Sequence, residues 1–208
     1  LALFGLVAAA SEANAVVLVL GGGAGSKCYA TAEFGDPFQA FDICTRALSD
    51  AEMSVRDRAA TYINRSVVRL RVHDWPGALG DSDLAIARFP GMGEAFVNRG
   101  AALLNLNRPQ DALTDLNKAI TIGLDKVHLA YYNRGTSYKK MDNYSNAIAD
   151  LTRSISLNPS YVNAYINRGD CYAALNKYDQ AISDLSYVIL FEPANADAFY
   201  NRGYVYRI

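Results

Sequence analysis

Residues 165–178 read YINRGDCYAALNKY, and the core of that stretch returns along the chain: YINRS at 62–66, FVNRG at 96–100, YYNRG at 131–135 and FYNRG at 199–203. The Asn-Arg pair works as a ruler. It falls at Asn64, Asn98, Asn133, Asn167 and Asn201, with gaps of 34, 35, 34 and 34 residues. Other positions keep the same beat. An aromatic stands two before each Asn (Tyr62, Phe96, Tyr131, Tyr165, Phe199). Alanine stands fourteen after (Ala78, Ala112, Ala147, Ala181) and aspartate seventeen after (Asp81, Asp115, Asp150, Asp184). A fixed period of this length is the mark of stacked supersecondary units, each burying its apolar face against the next.

Each unit reads as two helices. In AYINRGDCYAAL, Tyr165, Gly169 and Tyr172 fall on one helical face. The NKYD stretch interrupts the pattern. In QAISDLSYVILFEP, Ala181, Leu185 and Ile189 fall on a second face, and Pro193 ends the helix because proline cannot continue one. Pro90 and Pro159 hold the same place in two other units. The repeated glycines Gly100, Gly135, Gly169 and Gly203 would let the two helices approach closely, opposite the repeated alanines.

A 34-residue helix-turn-helix unit with aromatic, Gly, Ala and Pro at these offsets resembles the tetratricopeptide repeat. The resemblance covers residues 59–208, as units at about 59–92, 93–127, 128–161, 162–195 and a partial one at 196–208. It implies an all-α, right-handed solenoid of stacked antiparallel helix pairs whose first helices line a concave groove. It also implies a protein-interaction scaffold without catalysis or cofactor. In that family the Asn position faces the groove. An Asn side chain both donates and accepts, so Asn64, Asn98, Asn133, Asn167 and Asn201 would form a ladder that pairs with the backbone of an extended peptide. Tying adjacent helices together is the alternative role. Selectivity would come from neighbours that vary between units: Tyr132, Ile166 and Tyr200 one before the Asn, Thr136 and Asp170 three after, and the charges Lys139, Lys140 and Arg71. Basic residues that grip a partner's terminal carboxylate in some family members are missing at the matching positions, which puts that mode in doubt.

Arginine after the Asn departs from the usual apolar residue. Arg65, Arg99, Arg134 and Arg168 each precede Asp81, Asp115, Asp150 or Asp184 by sixteen residues. In a hairpin folded midway those positions lie level, and a guanidinium facing a carboxylate favours a bidentate pair. The expectation is a repeated structural clasp, with an anion site as the alternative.

Composition narrows the function classes. Half of the 208 residues are hydrophobic and the formal net charge is −1, so no basic field points to nucleic acid. Residues 1–10 are apolar and Ala13-Asn14-Ala15 follows, the pattern of a secretory signal cleaved after Ala15. Export to a periplasmic or extracellular space follows from it. The alternative is an uncleaved apolar segment that would bury Glu12 in a bilayer at a cost of roughly 2–3 kcal/mol. Residues 16–27 read as a glycine-rich linker and 28–58 as a worn leading hairpin. GGGAGSKC lacks the Gly-Lys-Ser/Thr order of a phosphate loop. The two histidines, His73 and His128, stand in different units, so no metal site is expected. Cys28 and Cys44 flank the Asp36-Pro37 turn symmetrically. They would pair across it in an oxidising compartment or stay as two small buried thiols. Cys171 reads as a buried small residue. Two rival roles remain: self-association through the C-terminal edge around Ile208, and presentation of substrate by an enzyme with further sequence.

Overall fold

The computed structural model describes Val19 and residues 22–208; the segment read as a signal lies outside these residues. Eleven helices follow one another among the described residues: α1 (Ala24–Phe34), α2 (Pro37–Leu48), α3 (Val55–Arg71), α4 (Trp75–Arg88), α5 (Gly93–Asn105), α6 (Pro109–Ile122), α7 (Val127–Lys140), α8 (Tyr144–Leu157), α9 (Val162–Ala174), α10 (Tyr178–Phe191) and α11 (Ala196–Arg207). Each packs on the next in an antiparallel stack, which is the expected all-helical solenoid. The odd-numbered helices also touch one another in series, α1 to α3 through α9 to α11, and no such series links the even-numbered ones. The odd helices therefore line the inside of the curve.

The turns explain the beat. Every turn from an odd to an even helix, from α3 onward, places one residue at positive φ, nine after the Asn: His73 (62°), Asn107 (56°), Asp142 (57°) and Asn176 (58°). Asn and Asp tolerate this left-handed region better than most residues. The following N–H then reaches back five residues, as in Asn143 N to Tyr138 O (2.9 Å), and closes the helix C-terminus. His73 is the odd member, and its ring stacks on Trp75 at 4.8 Å. The return turns carry Pro90, Pro159 and Pro193, with Gly123 at φ 85° ending α6 where a proline is missing. Caps fix several starts. Asp36, Ser54, Asp74, Asn143 and Asn195 each accept the N–H three residues on.

Two expected boundaries move. Helix α1 starts at Ala24, inside the stretch read as a linker, and α3 starts at Val55, four residues ahead of the expected repeat domain. Gly25 serves contact rather than freedom: a Cβ there would lie 3.0 Å from Thr61 Oγ1 on α3. The leading hairpin is a full helix pair, with Ala40 and Ala47 buried. A disulfide joins Cys28 and Cys44 across it. Arg71, read as a groove charge, donates instead to the carbonyls of Ala32 and Gly35 (both 2.9 Å) and closes the C-terminus of α1.

Closing a loop of about 15 residues restricts the unfolded chain by roughly 3 kcal/mol. Reduction is therefore expected to lower the stability of α1 and α2 by about that amount, read as faster amide exchange there, and to leave α7–α10 unchanged.

Candidate functional site

From α3 onward the five-residue motif divides its work among the faces of each odd helix. Glycine faces the partner helix. A Cβ at Gly100, Gly135 or Gly169 would meet Leu116, Leu151 or Leu185 at 3.0, 2.9 and 3.2 Å. The tightest neighbour is thus a leucine one turn beyond the repeated alanine.

Arginine spans three helices. Arg65, Arg99, Arg134 and Arg168 each donate twice to the aspartate sixteen residues on, at 2.6–2.9 Å. The remaining Nη1 crosses to the preceding even helix: to Thr45, Asp83, Asn117 and Thr152 in turn. The aromatic three residues earlier covers the guanidinium, with Tyr62, Phe96, Tyr131 and Tyr165 centred 5.3–5.6 Å from it. The aspartates are nearly buried and fully engaged. The hydrogen bonds that Arg99 donates to Asp115 raise its guanidinium above its ordinary pKa, and those to Asp150 do the same for Arg134. Arg69, which the sequence reading passed over, adds a second donor to Asp81 at 2.9 Å and pairs with Asp74. Arg202 keeps the aromatic cover of Phe199 and the cross-link to Ser186 (3.0 Å), but has no carboxylate partner among the described residues.

The asparagines point along the inner face and do two things. Asn98 donates to Ser66 Oγ (3.2 Å) and to the Ile63 carbonyl (3.4 Å) of the previous odd helix. Asn167 donates to the Tyr132 hydroxyl (3.1 Å) and Thr136 Oγ1 (3.2 Å), and accepts from Lys139 Nζ (2.5 Å). Asn201 donates to Asp170 (2.9 Å), which also pairs with Lys139 (2.9 Å). Asn133 is buried at the same register.

Asn64 differs. It accepts from the Val19 N–H and donates to the Val19 carbonyl, both at 2.8 Å, so one amide side chain holds both backbone groups of one residue 45 positions away. The Val19 side chain rests on the cluster of Ala59, Ile63, Met92 and Ala95. Three residues on, Asp57 accepts the Gly22 N–H at 2.7 Å, a bond that lowers its pKa, helped by Ser54.

Of the other residues picked for the groove, Tyr132, Thr136 and Ile166 are buried, Lys139 and Asp170 are partly covered, and Tyr200 is half exposed. Tyr132 meets Tyr161 edge to face at 5.0 Å. Ser66, Asp57 and Val19 were not singled out in the sequence, because a serine in the Gly slot and a carboxylate at a cap carry no mark of the groove.

No cluster of three or more metal-ligating side chains occurs among the described residues, nor any helix long and apolar enough to cross a membrane. Cys171 is buried, and burial pushes its thiol up to about 12. It is expected to ignore a thiol reagent at pH 8 in the folded chain and to react once urea unfolds it.

Tetratricopeptide repeat models match residues 128–161 and 151–183, and a TPR repeat model matches 169–207. No curated protein matches the chain. Among solved structures it is similar to MamA (26% identity, 68% of this chain and 82% of that one, TM-score 0.60). It is also similar to PilW, a widely conserved type IV pilus biogenesis factor (19%, 88% and 88%, TM-score 0.73), and to YrrB, a TPR protein with an unusual peptide-binding site (19%, 85% and 88%, TM-score 0.62). Repeat models and solved folds agree with the helix pairing above: the chain is a tetratricopeptide repeat protein.

Proposed function

We propose that the chain is a non-enzymatic scaffold whose concave face holds an extended segment of a protein partner, gripping its backbone through the asparagines. The observation that carries this reading is the double hydrogen bond of Asn64 to Val19. A side chain that satisfies both the N–H and the C=O of one residue recognises extended backbone whatever side chain that residue bears. Asn98 and Asn167 are buried at the same register and donate to the previous odd helix, which holds the ladder in place, and Asn201, partly exposed, is the rung within reach of a partner. YrrB, on the same fold, carries a peptide-binding site, which fits a groove of this kind. The disulfide across the leading hairpin favours an oxidising compartment, in keeping with export.

The test is a displayed random-peptide library selected on the full chain, followed by calorimetry on the winners. Methylating one backbone nitrogen of a bound peptide is expected to weaken it at least tenfold at a gripped residue, whereas changing that residue's side chain costs less than threefold. Asn201→Ala, at the partly exposed rung, is expected to weaken the same peptides. Binding that follows side chains and ignores backbone methylation would refute the reading.

The C-terminal face supports a second reading, self-association. Leu190, Phe191, Tyr206 and Ile208 are exposed, and nothing stands within 4 Å of a Cβ built on Gly203. Sedimentation velocity across a hundredfold concentration range tests it: a rising mass supports self-association and a constant one excludes it.

A further inference from the structure

The fourth asparagine-bearing helix breaks a pattern on the inner face. Six and seven residues after the Asn, the first three carry Leu70-Arg71, Leu104-Asn105 and Lys139-Lys140; helix α9 carries Ala173-Ala174. Where long side chains stood there is a cavity of about 710 Å³. Its walls come from four further helices. Tyr144 opens α8, Tyr178 opens α10, Tyr204 comes from α11 and Lys139 from α7. Two of the tyrosines are fixed by their hydroxyls, Tyr144 on Asp142 (2.6 Å) and Tyr178 on Asn176 (2.7 Å), so their orientation is set before anything enters. The cavity adjoins the ladder directly. Lys139 bonds Asn167, and Asp170, also in its wall, bonds Asn201.

We propose that this cavity is a specificity site for an aromatic side chain borne on a basic stretch of the bound peptide. The inference rests on the groove reading and adds the class of residue the groove selects. Three tyrosine rings around a space left by alanines suit an aromatic guest through edge and offset contacts. The charged wall has two carboxylates, Asp142 and Asp170, against the single ammonium of Lys139, which already pairs with Asp170. The surplus is negative and disfavours an acidic guest. A side chain reaching the cavity from a backbone held beside it at Asn201 would anchor the peptide's register.

The experiment is a titration of the full isotope-labelled chain with three small probes, followed by amide chemical shifts: tryptophanamide (cationic), N-acetyl-tryptophanamide (neutral) and N-acetyl-tryptophan (anionic). Saturable shifts are expected at Ala173, Ala174 and Tyr204. The cationic probe should bind at least fivefold more tightly than the anionic one. Ala173→Leu restores the side chain of the first two asparagine-bearing helices and should weaken all three probes at least tenfold with the melting temperature held. Should that variant lose its fold, Tyr178→Leu removes one ring without filling the space and should weaken them at least threefold. Shifts confined to other residues, or probe affinities that ignore both substitutions, overturn the proposal. The probes are single residues, read apart from the peptide selection, so a failed groove and a failed cavity give different results.

Discussion

Asp150→Ala is expected to lower the unfolding free energy by about 3 kcal/mol, because it leaves the largely buried Arg134 guanidinium with Asn117 and the Tyr131 ring but without its carboxylate. Arg134 is about one-fifth exposed and Asp150 one-tenth, so water replaces little of what is lost. A pair at this depth owes much of its apparent strength to the cost of the orphaned charge. The double exchange Arg134→Met with Asp150→Leu should therefore recover most of the loss, ending within about 1 kcal/mol of the parent. Urea unfolding of the two single variants and the double variant measures this. A double variant as unstable as either single one would mean that the clasp's attraction, and not the orphan's cost, holds the helices.

Alanine in the glycine slot should change sign along the chain. At Gly135 the new Cβ would stand 2.9 Å from Leu151 Cγ and 3.2 Å from the Ala147 carbonyl oxygen. The leucine is buried and the carbonyl is backbone, so neither yields cheaply. Overpacking costs about 3 kcal/mol, offset by about 1 kcal/mol of helix propensity, for a net loss of about 2 kcal/mol. At Gly203 the Cβ would meet nothing within 4 Å, and only the gain of about 1 kcal/mol remains. Gly100 and Gly169, with nearest contacts of 3.0 and 3.2 Å, should fall between in that order. Thermal unfolding of the four variants gives the series. An equal effect at all four would show that the glycines are not where the helices meet.

The helix pairs were legible because the period and break recur in four units and the proline in three of them, and coincidence does not repeat at fixed spacing. Arg65 with Asp81 and its three counterparts could be paired from spacing, since a hairpin folded midway brings such positions level. The turn residues His73, Asn107, Asp142 and Asn176 carry no shared letter in the sequence: they are of three residue types, and only the backbone reveals their shared positive φ. A glycine-rich run reads as linker over 16–27, yet α1 begins at Ala24, and Gly25 serves close contact with Thr61. The inner face was the least legible part. Position along a helix tells which way Tyr132 or Ile166 points, but burial depends on what lies across the groove. Nothing local in the sequence marks Asn64, among five equivalent asparagines, as the one that holds Val19. The cavity at Ala173 was hidden for the opposite reason: it is made by two side chains that are short.

The grip on extended backbone is made at Asn64. Hydrogen exchange at the Val19 amide tests it most directly, in the parent chain and in Asn64→Ala. Slow exchange is expected at Val19 in the parent and exchange at least tenfold faster in the variant, with amides inside α3 unchanged. Equal rates at Val19 in the two chains would contradict it, and would leave the asparagines as ties between helices alone.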